Sequence, residues 1–333
     1  MAGSVESPVG GTIVTPARRK HPGRTAAVLT WLAVTPFAAW AVTRLAGLER
    51  GAIPTQIMTA TPYAAAGSLI PLMIAALGRR RAATAVALLT STLLGFSVLP
   101  RTLGVADATA GRPLRVLTVN LLFGKADTPT VMGLVRELRP DVLNTQELTP
   151  GAVDELDAAG LRELMPHRVL QPEWSASGSG IFSSLPLKPM EDALPPLEGH
   201  NMPVARVSLP GGAAVELYDV HPVPPIGRYA DAWRTALEAL PGPSDEAVRI
   251  LAGDFNASLD HTPMRRLLAR GYKDAAAQVG AGLIPTWPAN RRVPPLITID
   301  HVLVDERVGV QAVSVHDVPG TDHRAVFAEL SVP

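Results

Sequence analysis

The sequence predicts a membrane-anchored α/β protein, in which three apolar helices lead into one domain of stacked β-sheets flanked by helices. Three observations predict it. Three charge-free apolar stretches fill most of the first hundred residues. Beyond residue 112, short β-branched runs outnumber helical segments, so the helices are too few for a full βαβ alternation and must flank sheets that stack on one another. The charge also changes sign at this boundary. Residues 1–112 carry 11 Lys+Arg and 3 Asp+Glu, residues 113–333 carry 19 and 27, and the formal net charge of zero conceals +8 followed by −8. About 220 residues beyond the boundary suffice for one well-buried core. The chain has no cysteine, which excludes disulfides, thiolate metal sites and cysteine nucleophiles.

The apolar stretches cover residues 25–43, 51–78 and 82–100, each near or above the ~18–20 residues that a helix needs to cross a bilayer. Arg18, Arg19, Lys20 and Arg24 precede the first, and Arg79, Arg80 and Arg81 separate the second from the third. The positive-inside rule puts both basic clusters in the cytoplasm, so three crossings deliver residues 101–333 to the extracytoplasmic face of the cell membrane. The expected organisation is a basic cytoplasmic N-terminus (1–24), a membrane region (25–100), a linker holding Gly104 and Gly111 (101–112) and a folded domain (113–333). Reading residues 28–38 instead as a secretory signal, cleaved near Ala39-Trp40-Ala41, would leave two spans and a protein still bound to the membrane. Pro62 and Pro71 interrupt the second stretch and mark a kink or a re-entrant segment.

In the folded domain, residues 114–119 read as a strand, and Asp127-Thr128-Pro129 caps a helix whose Val131, Leu134, Val135 and Leu138 keep helical spacing up to Pro140. Residues 141–145 form a second strand ending in Gln146-Glu147. Further strands are predicted at 180–184, 204–209, 214–220, 249–251, 296–304, 310–315 and 325–330, with helices at 229–240 and 263–269.

Polar residues gather at or just past the ends of these runs: Asn120, Glu147, His221, Asp254, Asn256, Asp300, His301, Asp322 and His323. Hard carboxylates and amides suit an oxygen-loving divalent cation such as Mg²⁺, and imidazoles stabilise charge or move protons, which together equip a site for metal-assisted phosphoester hydrolysis. Asp254 and Asn256 flank Phe255, so in extended backbone both point to one side; Gly-Asp-x-Asn is also a common turn motif. His301 follows Asp300 directly and would face away from it, in a structural role.

In these residues the chain resembles the endonuclease/exonuclease/phosphatase superfamily, which includes pancreatic deoxyribonuclease, abasic-site endonucleases, inositol polyphosphate 5-phosphatases and bacterial sphingomyelinases. The matching elements, in family order, are Arg115-Val-Leu-Thr-Val-Asn120, Pro140-Asp-Val-Leu-Asn-Thr-Gln-Glu147, Gly178-Ser-Gly-Ile-Phe-Ser-Ser184, Tyr218-Asp-Val-His221, Gly253-Asp-Phe-Asn256, Ile299-Asp-His301 and Thr321-Asp-His323. The resemblance implies a four-layer, deoxyribonuclease-like α/β sandwich. It makes Glu147 the principal Mg²⁺ carboxylate (Mn²⁺ substituting), Asn120 a nearby ligand or orienting amide, and Asp322 an aid to metal or water positioning. It makes Asp254 the group that activates water and Asn256 the group that orients water or phosphate. Asp300 would hold His323 toward the scissile phosphate, with His221 as the second imidazole. The sequence departs from the family pattern at Leu185, where an Arg is often found nearby, and at Asn144-Thr145, which replace an apolar pair.

A membrane-resident phosphate or pyrophosphate is the substrate that this organisation implies. The three-span layout also resembles actinobacterial members of the superfamily associated with teicoplanin and vancomycin resistance. Two readings compete. An extracellular nuclease would need cationic surface to follow a polyanion, and the domain's charge of −8 argues against nucleic acid as a partner. A silent membrane sensor would have no need of Glu147, Asp254, Asn256, Asp300 and His323 together. Arg228, Arg234, Arg291 and Arg292 are candidates for a second phosphate, although loop arginines are ordinarily solvated, and Trp174 and Trp287 are candidates for a cleft rim or for plain packing.

Overall fold

The computed structural model describes residues 22–107, 110–290 and 292–333; the cluster Arg18, Arg19 and Lys20, and Arg291, lie outside the described residues. Among the described residues two helices are long and apolar enough to cross a membrane: α1 (Pro22–Ala46) and α5 (Arg81–Val98), the latter extended by a 3-10 turn to Thr102. The stretch between them, expected as a third span kinked or re-entrant at its prolines, is broken into α2 (Ala52–Met58), α3 (Thr61–Gly67) and α4 (Leu69–Leu77), with a 63° bend between α2 and the rest; taken as one bent span it would bring the number to three. Proline explains the restarts. Pro54, Pro62 and Pro71 each sit in a first turn, where a missing N–H costs least, and the residue before a proline resists helical geometry.

The folded domain is two six-stranded mixed sheets packed face to face. The first has order β11-β12-β1-β2-β4-β3 and the second β5-β6-β7-β8-β10-β9. The strands of the first sheet are β1 (Arg112–Asn120), β2 (Val142–Gln146), β3 (His167–Gln171), β4 (Ser179–Ser183), β11 (Gly309–Asp317) and β12 (Arg324–Val332). Those of the second are β5 (Leu187–Pro189), β6 (Val204–Ser208), β7 (Ala214–Val220), β8 (Val248–Asp254), β9 (Tyr272–Asp274) and β10 (Asp300–Asp305). Strand alternation puts Val116, Val142, Ile181, Val215, Leu217, Ile250, Val302 and Ala328 into the core between the sheets. The opposite face of the first sheet, with Leu117, Leu143 and Phe182, packs on α6 (Thr128–Leu138), α7 (Pro150–Ala158) and α8 (Leu161–Leu164). That of the second, with Tyr218, Leu251 and Leu303, packs on α9 (Ala230–Ala239) and α10 (Thr262–Ala269) around buried Trp233. The short α11 (Ala275–Gln278) completes the order.

The expected strand at 296–304 begins only at Asp300, because Leu296 and Ile297 turn their backbone to Trp287 instead. The strands β3, β5 and β9 and the helices α7, α8 and α11 were not expected. β3 is half-buried along its length and shows no clean alternation, while α7 carries a legible start in Thr149-Pro150, whose threonine caps Ala152 N–H.

A buried polar joint fastens this domain to the apolar helices. Asp260, fully buried after β8, accepts from Arg44 Nε at the end of α1 (2.8 Å) and from both terminal nitrogens of Arg101 beyond α5 (2.9 and 2.6 Å). Glu49, also fully buried, caps Thr262 N–H at the start of α10 (2.6 Å), and His261 Nε2 meets Thr55 O (2.8 Å). Asp260, paired with two guanidinium groups, is tolerated out of water, whereas Glu49 has, among the described residues, only the Thr262 N–H on Oε1 and none on buried Oε2.

Candidate active site

Each sheet has a parallel pair at its centre, β1 with β2 and β7 with β8, so all four carboxyl ends reach one edge of the sandwich. The antiparallel neighbours β12 and β10 begin at that same edge. Six short runs thereby deliver Asn120, Glu147, His221, Asp254, Asp300 and His323 to one place. Asp300 stands directly opposite Asp254 across the β8–β10 ladder. Gly253 lets the ends of β7 and β8 come together beside them: its φ is 154°, and a Cβ there would lie 2.1 Å from Val220 O.

Asp254 is the hub. Its Oδ2 accepts from Asn120 Nδ2 (3.1 Å) and lies 3.7 Å from His323 Nε2 and 3.8 Å from His221 Nε2; its Oδ1 accepts the Asn256 N–H (2.8 Å). Burial pushes its pKa up to about 7, against the opposing pull of the His323 charge. Asp300 holds His323 Nδ1 with both carboxylate oxygens (3.1 and 3.0 Å), which turns Nε2 toward Asp254. Burial opposes charge on His323, but the Asp300 and Asp254 carboxylates outweigh it and raise its pKa to about 10, so the ring is an imidazolium at neutral pH.

Glu147 follows β2 in left-handed backbone (φ 54°), as do Leu122 and Phe123 after β1 (47° and 54°). Such strain in three bulky residues is held by the surrounding structure and clusters at functional sites. The turn points the carboxylate at Asn120 Nδ2 (3.3 Å) and at the Phe123 N–H (2.8 Å). Burial raises its pKa. Asn120 thus bridges Glu147 and Asp254 through one amide, and its own backbone carbonyl accepts from Thr321 Oγ1 (2.7 Å).

Three expectations change in detail. β8 ends at Asp254, and Asn256 has φ 48°, so a left-handed turn rather than strand alternation brings it beside Asp254; its Nδ2 is spent on Pro222 O (3.0 Å). His221 is buried and stacked on His200 (ring centroids 4.3 Å apart), and burial holds its pKa well below the ordinary value, so it is neutral. Asp322 accepts from Trp287 Nε1 (3.3 Å), in a position where its charge acts on Glu147 and His323. His301 turns away from the cluster, between Asp274 (2.9 Å) and Ala257 O (2.9 Å).

The donor set fits a hard divalent cation. Ligand atoms of Asp254, Asp300 and His323 lie within 4.8 Å of one another. A protonated imidazole cannot ligate a metal, so carboxylate oxygens are the better donors, Glu147 foremost; Asn120 turns its Nδ2 to Glu147 and Asp254 while its Oδ1 accepts the Leu122 N–H (2.9 Å), so the amide orients the carboxylates.

Sequence reasoning passed over His200 and Asp219. Asp219 is fully buried and accepts from Gln146 Nε2 (2.5 Å) and from the Gly180 N–H (3.1 Å), so it ties the two sheets beneath the site; burial raises its pKa against the pull of these bonds. It lies two residues before His221 on one strand, and alternation was the available signal. Asn144, the departure from the family pattern, likewise donates across the sheets to Ala252 O (2.9 Å). His200 sits in a loop with no pattern to mark it.

Solved structures with the same fold include a 3′ phosphatase, NExo, from Neisseria bound to product DNA hairpin (23% identity, 66% of this chain and 99% of that one, TM-score 0.50). Others are truncated TDP2 from Caenorhabditis elegans (15%, 68% and 100%, 0.52) and an endonuclease/exonuclease/phosphatase from Beutenbergia cavernae (18%, 66% and 72%, 0.50). Among curated proteins none matches. The sequence profile of the endonuclease/exonuclease/phosphatase family matches residues 117–323, from β1 through His323, and the chain belongs to that family.

Proposed function

We propose that the protein is a membrane-anchored, divalent-metal-dependent phosphoesterase that hydrolyses a phosphate or pyrophosphate ester carried on a lipid at the extracytoplasmic face. The observation that carries this reading is the Glu147–Asn120–Asp254–His323–Asp300 cluster in a domain fastened to two apolar helices through Asp260 and Glu49. Glu147 would hold Mg²⁺, with Asn120 orienting its carboxylate, and the ion when bound would supply charge neutralisation at a phosphoryl oxygen. Asp254, with its pKa near neutrality, accepts the proton of an attacking water, and Asn256 orients it beside that carboxylate. His323, kept cationic by Asp300, faces the charge that develops in the transition state. Neutral His221 supplies one further N–H.

The test is the purified full chain assayed on long-chain lipid phosphates and pyrophosphates, phospholipids, inositol phosphates and duplex DNA, with Mg²⁺ and with EDTA. Hydrolysis of a lipid phosphate that EDTA abolishes and Mg²⁺ or Mn²⁺ restores is the expected result. In a glycopeptide-sensitive host, expression should raise teicoplanin tolerance and Asp254→Ala should remove the gain. Efficient DNA cleavage with no action on any lipid phosphate would establish the nuclease reading instead, which the DNA-bound neighbour keeps in view.

A further inference from the structure

Both loops that flank the catalytic cluster hang on the broken second helix. Gln56 Nε2, on α2, donates to Pro225 O in the loop that follows His221 (3.0 Å). Tyr63 OH, on α3, donates to Leu296 O in the loop that leads from Trp287 to Asp300 (2.7 Å). Trp287 of that same loop reaches Asp322, so a single segment touches the apolar helix on one side and the site on the other.

Behind the Tyr63–Leu296 contact lies a cavity of about 230 Å³. Thr59, Pro62 and Tyr63 line it from the elbow, and Leu283, Leu296 and Ile297 from the catalytic domain. The charged groups at its floor are spent: Arg101 and Asp260 pair with each other, and His301 with Asp274. Ser258 and Thr298 add hydroxyls, but the lining is mostly apolar and suits hydrocarbon better than a charged group. The volume falls below that of a drug-sized pocket and suits a segment of chain rather than a whole ligand. Exposed Ile53 and Ile57, one helical turn apart on α2, and Ile226 on the loop that Gln56 holds present further apolar side chains on the same elements. One wall thus belongs to the apolar helices and the other to the rim of the site.

Building on the lipid-phosphate reading above, we propose that the elbow between α2 and α3, with Leu296 and Ile297, is the subsite for the hydrocarbon segment next to the substrate's phosphate. The elbow steers the headgroup into the cluster while the rest of the chain stays in the bilayer. The break in the second helix is then part of the substrate site, and its proline restarts have a purpose beyond geometry.

Two variants of the full chain test this in lipid vesicles, Thr59→Trp to fill the cavity and Leu296→Glu to charge its wall at a half-exposed loop position. The measured quantity is kcat/KM for a long-chain alkyl phosphate divided by that for a short soluble ester with the same headgroup. The ratio should fall at least tenfold in both variants. In parallel, a long-chain alkyl phosphate bearing a photoreactive group near its first carbons should label residues 59–63 and 296–297 in the parent chain, and Thr59→Trp should suppress the labelling. Equal losses on both substrates, or an unchanged ratio, would overturn the subsite, as would labelling confined to other segments. Failure of the parent chain to hydrolyse any lipid phosphate, with labelling of the elbow intact, would instead refute the functional reading and leave the elbow a lipid contact.

Discussion

Asp300 shows how one side chain sets the chemistry of another. Both its oxygens lie near 3 Å from His323 Nδ1, fixing the direction of Nε2 and keeping the ring charged. Asp300→Asn keeps the shape but removes the charge. We expect kcat to fall roughly 10²–10³-fold with little change in KM, since the lost interaction is made with the transition state rather than with bound substrate. Steady-state kinetics check this; a rise in KM alone would assign Asp300 to substrate binding. At this scale much of the site was legible. Acids, amides and imidazoles at strand ends announced their chemistry by type, whereas the bridging of Glu147 and Asp254 by Asn120 depends on two strands from different sheets and on left-handed turns that no local pattern encodes.

Between elements, the most exposed test of packing is Glu216 on β7, which accepts from Arg206 on β6 (2.9 Å) and Arg249 on β8 (2.8 Å). Burial alone would raise its pKa, but the bonds to Arg249 and Arg206 outweigh it and hold the pKa below the model-compound value of 4.5. A depressed carboxylate contributes stability that is present above 4.5 and lost as pH falls through the lower folded value. Glu216→Gln should therefore lower the unfolding midpoint at pH 7 and flatten its decline below about pH 4.5, as thermal unfolding across pH would reveal. Asp260 sits in a different regime. Its replacement by Ala leaves Arg44 and Arg101 buried without their shared partner, a change that costs about 3–5 kcal/mol. A marked drop in the thermal midpoint of the full chain is the expected result, and an unchanged midpoint would show that water reaches the two guanidinium groups.

For the whole molecule, the carboxyl end of α1, the turn after α5 and short α2 through Thr55 and Gln56 all meet the folded domain, so they share one side of the apolar region. At ~1.5 Å per residue, Thr61–Leu77 extends roughly 25 Å, close to the hydrocarbon thickness, and would return the chain to the opposite side at Arg79–Arg81. Reporters fused at the C-terminus should accordingly signal an extracytoplasmic location, and one inserted near Arg80 a cytoplasmic one. Cytoplasmic signal from the C-terminal fusion would overturn both the anchoring scheme and the access of the site to lipid on that face.

The sequence by itself determined the class of domain, the chemical type of its site and the presence of apolar helices, because strand alternation, residue chemistry and hydropathy are local properties. Strands as regular as β1, β7 and β12 were readable for that reason, and β3, β5 and β9 were not, being short or evenly half-buried. Tertiary structure alone decided what lies between distant segments. It placed His200 against His221, made Asp219 a buried tie between the sheets, bent the second apolar stretch and locked Arg44 and Arg101 onto Asp260. These features arise from contacts between residues far apart in the chain, where burial and pairing are set by the packed fold and leave no periodicity to read.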